Sequence, residues 1–116
     1  MYIIYGINNC DTIKKTVTWL EEHHIPFTFH NYKTAGVTQS RLNAWCSQVG
    51  WETVLNKKST TWRGLDTVIK EKQLNQKEAV KLMAAHTSLI KRPVIEVEGR
   101  VVTVGFDEAR YRGLFL

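Results

Sequence analysis

The chain has 116 residues, 43% of them hydrophobic and 23% charged, with four each of Trp, Tyr and Phe. That suits one ordinary domain, 1–116, and argues against disorder. Sixteen basic against eleven acidic residues leave a formal charge of +5, which favours anionic partners without choosing among them. The two cysteines cannot form a disulfide framework, and the four histidines fall in no metal-ligand spacing. No apolar run approaches the roughly 20 residues of a membrane span, and Met1–Gly6 lacks the basic start of a signal peptide. The expected setting is the cytoplasm, with no membrane contact and no direct nucleic-acid binding.

Tyr2–Tyr5 is a β-branched and aromatic run closed by Gly6, and it predicts a buried strand. A polar loop, residues 7–12, leads into a helix whose apolar stripe is Ile13, Val17 and Leu20, widened by Trp19. Pro26 ends it soon after His24. Phe27–Tyr32 alternates with period two and predicts a second strand, so the opening is β-α-β with a parallel pair. Thr38 then caps a helix bearing Leu42, Trp45, Cys46 and Val49, which stops at Gly50. A turn over Trp51–Leu55 follows. Thr60 is placed as the cap of a helix carrying Leu65, Val68 and Ile69. Asn75 with Glu78 resembles a capping box and opens a helix with Ala79, Val80, Leu82 and Met83. Val94–Val97 and Val101–Val104 flank Glu98-Gly99-Arg100, a hairpin signal. Gly105 breaks the second of these strands, and Asp107 caps a last helix through Tyr111 and Leu114. The layout is α/β, with a four-stranded mixed sheet at its centre.

Cys10 stands where a strand gives way to a helix. Unpaired amides and the positive end of the helix dipole favour a thiolate there, and the thiolate is the nucleophile. Lys14 adds favourable charge and Asp11 opposes it. A buried structural cysteine is the alternative, but the polar flank of Asn9 and Asp11 favours a reactive thiol. Cys46 shares a stripe with Leu42, Trp45 and Val49 and reads better as a core side chain than as a resolving thiol. Lys91-Arg92-Pro93 precedes a strand. There Arg92 suits a carboxylate or another oxyanion, with a cis proline beside it, or else the tripeptide is a strand cap with two solvated charges. Lys57 and Lys58, before the hydroxyls of Ser59, Thr60 and Thr61, suit an anion, although a polar loop with a capped helix is the better local reading.

Four motifs fall in order: Tyr5-Gly6-Ile7-Asn8-Asn9-Cys10-Asp11-Thr12, Leu55-Asn56-Lys57-Lys58-Ser59-Thr60-Thr61-Trp62-Arg63, Leu89-Ile90-Lys91-Arg92-Pro93 and Val104-Gly105-Phe106. Together they resemble the arsenate reductase-related ArsC/Spx family over essentially the whole chain, most closely its YffB-like branch. The resemblance implies a thioredoxin-like fold (β-α-β … β-β-α) with a helical insertion at about 38–88, and it makes Pro93 the cis proline of such folds. It makes Cys10 the nucleophile and Arg92 the contact for a bound anion or glutathione.

The departures are Gly6, where arsenate reductases of the family have a histidine, and Lys57 and Lys58 near the place of an arginine. A late arginine near Gly105-Phe106 is also missing. An arsenate oxyanion would thereby lose several forked donors, which lysine replaces poorly. Ile13 stands where Spx-type regulators have a second loop cysteine. The activity this implies is a glutathione-linked, single-cysteine thiol–disulfide reductase, with Cys10 catalytic and Asn9, Thr12, Lys58, Arg63, Arg92 and Pro93 binding substrate or glutathione. Glutathione is a cosubstrate, and no bound cofactor or metal is implied. The expected partners are glutathione and a glutaredoxin or protein disulfide. The alternatives are arsenate reduction and an Spx-like regulator that binds the α C-terminal domain of RNA polymerase.

Overall fold

A computed structural model describes residues 1–116, the side chain of Glu71 left aside. The chain divides into two compact units, Met1–Ala35 with Arg92–Leu116, and Gly36–Lys91.

In the first unit, β1 (Tyr2–Gly6), β2 (Phe27–Asn31), β3 (Val94–Val97) and β4 (Arg100–Val104) form one sheet in the order β2-β1-β3-β4. β1 and β2 are parallel, as the β-α-β reading requires, and β3 pairs antiparallel with both β1 and β4. The mixed sheet is therefore the one expected. Helix α1 (Asp11–Glu22) and helix α8 (Glu108–Phe115) contribute Trp19, Leu20 and Tyr111 to a core with Ile4 and Ile95, adjacent partners on β1 and β3. Period two on the strands and period 3.6 on α1 bring these side chains to one layer. On β1, Tyr5 lies on the alternate face: its hydroxyl donates to the buried carboxylate of Glu96 at 3.0 Å, and its ring lies 4.7 Å from that of His30.

Helix α1 ends at Glu22, with His24 at φ 56 and the Ile25 amide bonded to the Leu20 carbonyl. This is a Schellman-type stop with histidine in the left-handed position, just ahead of Pro26. The β3–β4 turn is tighter than expected. Val97 pairs with Arg100, and only Glu98 (φ 50) and Gly99 (φ 79) turn the chain. Two successive positive φ values are the type I′ geometry that matches strand twist.

The second unit holds α3 (Gln39–Val49), α4 (Trp51–Val54), α5 (Thr60–Arg63), α6 (Thr67–Glu71), α7 (Gln76–Ala85) and a 3₁₀ turn at Thr87–Leu89. Leu42, Trp45, Cys46, Val54, Val80 and Met83 are buried. Thr38 and Asn75 cap as expected, their side chains accepting from the Arg41 and Glu78 amides. Lys91 N–H bonds to the Val54 carbonyl and Asn56 N–H to the Leu89 carbonyl, tying the segment after α4 to the last residues of the unit.

Three expectations are corrected. Tyr32 does not extend β2 but opens helix α2 (Tyr32–Ala35). The Asn31 side chain accepts from Lys33 N–H, and its carbonyl accepts the Thr34 hydroxyl, which bends the chain out of the sheet. The single helix expected from Thr60 is two short ones. Ser59 caps α5, and Asp66 captures Val68 N–H to start α6, leaving Val68 74% exposed rather than in the core. Trp51–Val54, read as part of a turn, is helical.

Candidate functional site

The strand registers set the site. Gly6 and Asn31 pair at the carboxyl ends of β1 and β2, Tyr5 pairs with Val94 at the start of β3, and Val94 pairs with Val104 at the end of β4. The loops leaving β1 and β2 and the segment entering β3 therefore meet at one end of the sheet. Ligands of open α/β sheets bind in such crevices.

Cys10 sits there as the N-cap residue of α1, with extended backbone (φ −122, ψ 125) and its carbonyl accepting Lys14 N–H at 2.9 Å. Its side chain makes no capping bond, is half-buried, and the thiol is free. Asn9 before it is exposed and left-handed at φ 56, a conformation asparagine tolerates better than most residues. Thr12 is half-buried in the first turn, its carbonyl accepting the hydroxyl of the buried Thr16. Arg92 is half-buried and joined to Pro93 by a cis peptide bond, and the Pro93 carbonyl accepts Gly105 N–H at 2.8 Å. A groove of about 450 Å³ opens beside the thiol, lined by Asn9, Cys10, Ile13, Val17, Phe27 and Phe29 among others. It is mainly apolar, with Lys14 at its edge.

Sequence reasoning missed Tyr32. Its side chain is only 1% exposed. The Arg92 guanidinium donates to its phenol oxygen, and Cys10 lies near enough to act on it electrostatically. Burial pushes the Tyr32 phenol up to about 12, more than the Arg92 charge and hydrogen bond pull it down, and a Cys10 thiolate adds to the rise. The phenol stays neutral at any physiological pH. A signal was present. In a β-α-β unit the residue after the second strand lies at the same sheet end as the loop after the first, so an aromatic with a polar tip at that point was a candidate.

Gly6 stands where the resemblance places a histidine in arsenate reductases, and the Ile13 side chain closely approaches it. A Cβ at position 6 would run into the Ile13 side chain, with Phe29 next nearest. Gly6→His is expected to displace Ile13 and cost about 1–3 kcal/mol, read from the shift in urea midpoint at unchanged slope. A neutral Gly6→His would show that the seat is not filled by Ile13.

The remaining expected residues belong to the second unit. Lys58 and Arg63 are exposed, the latter at the end of α5. Lys57 is committed to packing, its Nζ 5.6 and 5.4 Å from the Trp51 and Trp62 ring centroids. Ser59 caps α5, and the Thr61 hydroxyl bonds that of Ser88 at 2.6 Å. These groups serve the capped-loop reading. Cys46 is 2% exposed in its helical core, and burial raises its thiol pKa. Because the unfolded chain gives up that proton first, Cys46 contributes stability that declines as pH rises past the ordinary thiol value. Cys46→Ala is expected to cost about 1 kcal/mol and to leave adduct formation at Cys10 unchanged, as intact mass would show. Among the described residues no group of three or more His, Cys, Asp or Glu is placed to hold a metal ion, and no helix is long and apolar enough to cross a membrane.

The sequence profile of the ArsC family matches residues 5–114. A solved structure of a YFFB (PA3664) protein superposes with a TM-score of 0.93 at 45% identity, covering all of both chains. An arsenate reductase (ArsC)-related protein from Brucella melitensis superposes at 0.79 with 42% identity, over 98% of this chain and 93% of that one. The global transcriptional regulator Spx of Streptococcus pneumoniae (strain ATCC BAA-255 / R6) is 27% identical over 97% of this chain and 84% of its own.

Proposed function

The chain belongs to the ArsC family, and from that premise we propose that it is a glutathione-linked thiol–disulfide reductase with Cys10 as its nucleophile. The observation that carries this reading is the position of Cys10. It is a free, half-buried thiol at the N-cap of α1, at the sheet end where Arg92 and Pro93 enter β3. The Cys10 thiolate attacks one sulfur of a glutathione mixed disulfide. A Cys10–glutathione disulfide forms, the old S–S bond breaks, and the substrate leaves as a thiolate that takes a proton from water. A second glutathione thiolate attacks that adduct, releasing oxidised glutathione and restoring Cys10. The net exchange consumes one free glutathione: the mixed disulfide and that thiol become the substrate thiol and oxidised glutathione.

Arg92 is the cation for a glutathione carboxylate, its planar fork suited to two parallel hydrogen bonds. Asn9 and Thr12 border the thiol. Arsenate reduction is the weaker reading, because the Ile13 side chain occupies the place that a side chain at position 6, and so a histidine donor, would need. The test is intact mass after incubation with oxidised glutathione. One adduct, mapped to Cys10 and released by reduced glutathione, is the expected outcome. A chain that takes no adduct favours the regulator reading, which the Spx relative supports, and binding to the α C-terminal domain of RNA polymerase is then measured directly.

A further inference from the structure

Tyr32 has an environment that packing alone does not require. A buried phenylalanine would fill the same space, yet here a phenol oxygen is taken into the sheet end that carries Cys10 and receives a hydrogen bond from Arg92. An arginine side chain has several rotatable bonds, and left to itself its fork samples many directions. A neutral oxygen fixed on a buried ring restricts that freedom without neutralising the charge, as a carboxylate would. The remaining guanidinium N–H groups stay available to an incoming anion.

We propose that Tyr32 is the positioning residue of this site: its phenol oxygen holds the Arg92 guanidinium so that Cys10 reacts preferentially with anionic disulfides. This rests on the reading of Cys10 as the nucleophile. The substrate class it selects is a disulfide carrying a carboxylate close to the sulfur. In each reaction the Cys10 thiolate forms a new S–S bond to one reagent sulfur, the reagent's own S–S bond breaks, and the departing half leaves as a thiolate with the electron pair. Tyr32 keeps its proton throughout and acts through Arg92.

The test compares the rate of Cys10 with dianionic 5,5′-dithiobis(2-nitrobenzoate) against that with neutral 2,2′-dithiodipyridine, with the Cys10→Ser rate subtracted. Tyr32→Phe leaves the net charge unchanged, so a change in the ratio cannot come from the overall field. The anionic-to-neutral ratio is expected to fall about fivefold in Tyr32→Phe, and by a similar or larger factor in Arg92→Gln, with no further loss in the double variant because the two side chains act as one unit. Arg92→Lys keeps the charge without the fork and is expected to lose much of the preference, which gives a reading independent of whether Tyr32→Phe folds. An unchanged ratio in Tyr32→Phe, losses that multiply in the double variant, or full preference retained by Arg92→Lys would each overturn the proposal. A wild-type Cys10 inert to both reagents would instead overturn the nucleophile reading beneath it.

Discussion

In the Cys10→Ser protein the glutathione adduct is expected to disappear, with the exchange rate falling at least about a thousandfold, since a serine hydroxyl is not ionised near neutral pH and is a weak nucleophile unless a base activates it. The same substitution should not harm the fold. Cys10 occupies an N-cap with the extended backbone such positions have, and its sulfur caps nothing. A serine oxygen there can accept an amide from the first turn, and serine is among the best N-cap residues. Stability is therefore expected to hold or to rise by up to about 1 kcal/mol, seen as an equal or higher urea midpoint. Lost chemistry with retained or improved stability is what a functional residue gives when it is not the residue the fold prefers. A Cys10→Ser protein that still takes up glutathione would move the chemistry to Cys46 and sink the mechanism.

The largest effect on stability is expected at Tyr111. Its ring is fully buried and meets Trp19, Phe106 and Phe115 edge-on, at centroid distances of 5.4, 5.1 and 5.3 Å. Its hydroxyl donates to the Gly105 carbonyl at 2.7 Å. Tyr111→Ala removes the aromatic centre of the core between the sheet and the two helices, at a cost of about 3–5 kcal/mol. Tyr111→Phe keeps the ring and removes the hydroxyl's bonds to the Gly105 carbonyl and the Thr16 side chain, at about 1–2 kcal/mol. Denaturant titration of both variants separates packing from hydrogen bonding. Equal losses would mean that the hydroxyl, rather than the ring, holds α8 in place. The hydroxyl also bears on the site, because Gly105 N–H bonds to the Pro93 carbonyl. One residue thus links the end of the core to the segment that carries Arg92.

Much of this was legible because it is local. Thr38, Asn75 and Asp107 cap the helices they were expected to cap, since a short polar side chain reaching an amide two or three residues on needs nothing from the rest of the chain. The parallel β1–β2 pair followed from the β-α-β order, and the family motifs pointed to Cys10, Arg92 and Pro93. The errors arose where two local signals compete. Thr60 and Ser59 are both capable caps, and Asp66 restarts the helix after Gly64, so an apolar spacing that looked continuous is interrupted and Val68 faces solvent. Tyr32 continued an alternating pattern, and only the turn made by Asn31 took it out of the strand.

By itself the sequence determined the kind of chain this is: an α/β protein of the ArsC family with a thiol at a helix start and an arginine before a proline. Those features are written in neighbouring residues, and short-range sterics and hydrogen bonds are enough to read them. Only the tertiary structure decided which distant groups share the site. Tyr32 and Arg92 are sixty residues apart along the chain and meet because β1, β2 and β3 pair in one register. Gly6 gives way to Ile13 because a helix crosses over a strand at that point. Such contacts depend on how the strands pair and the layers pack, and no local pattern encodes that pairing.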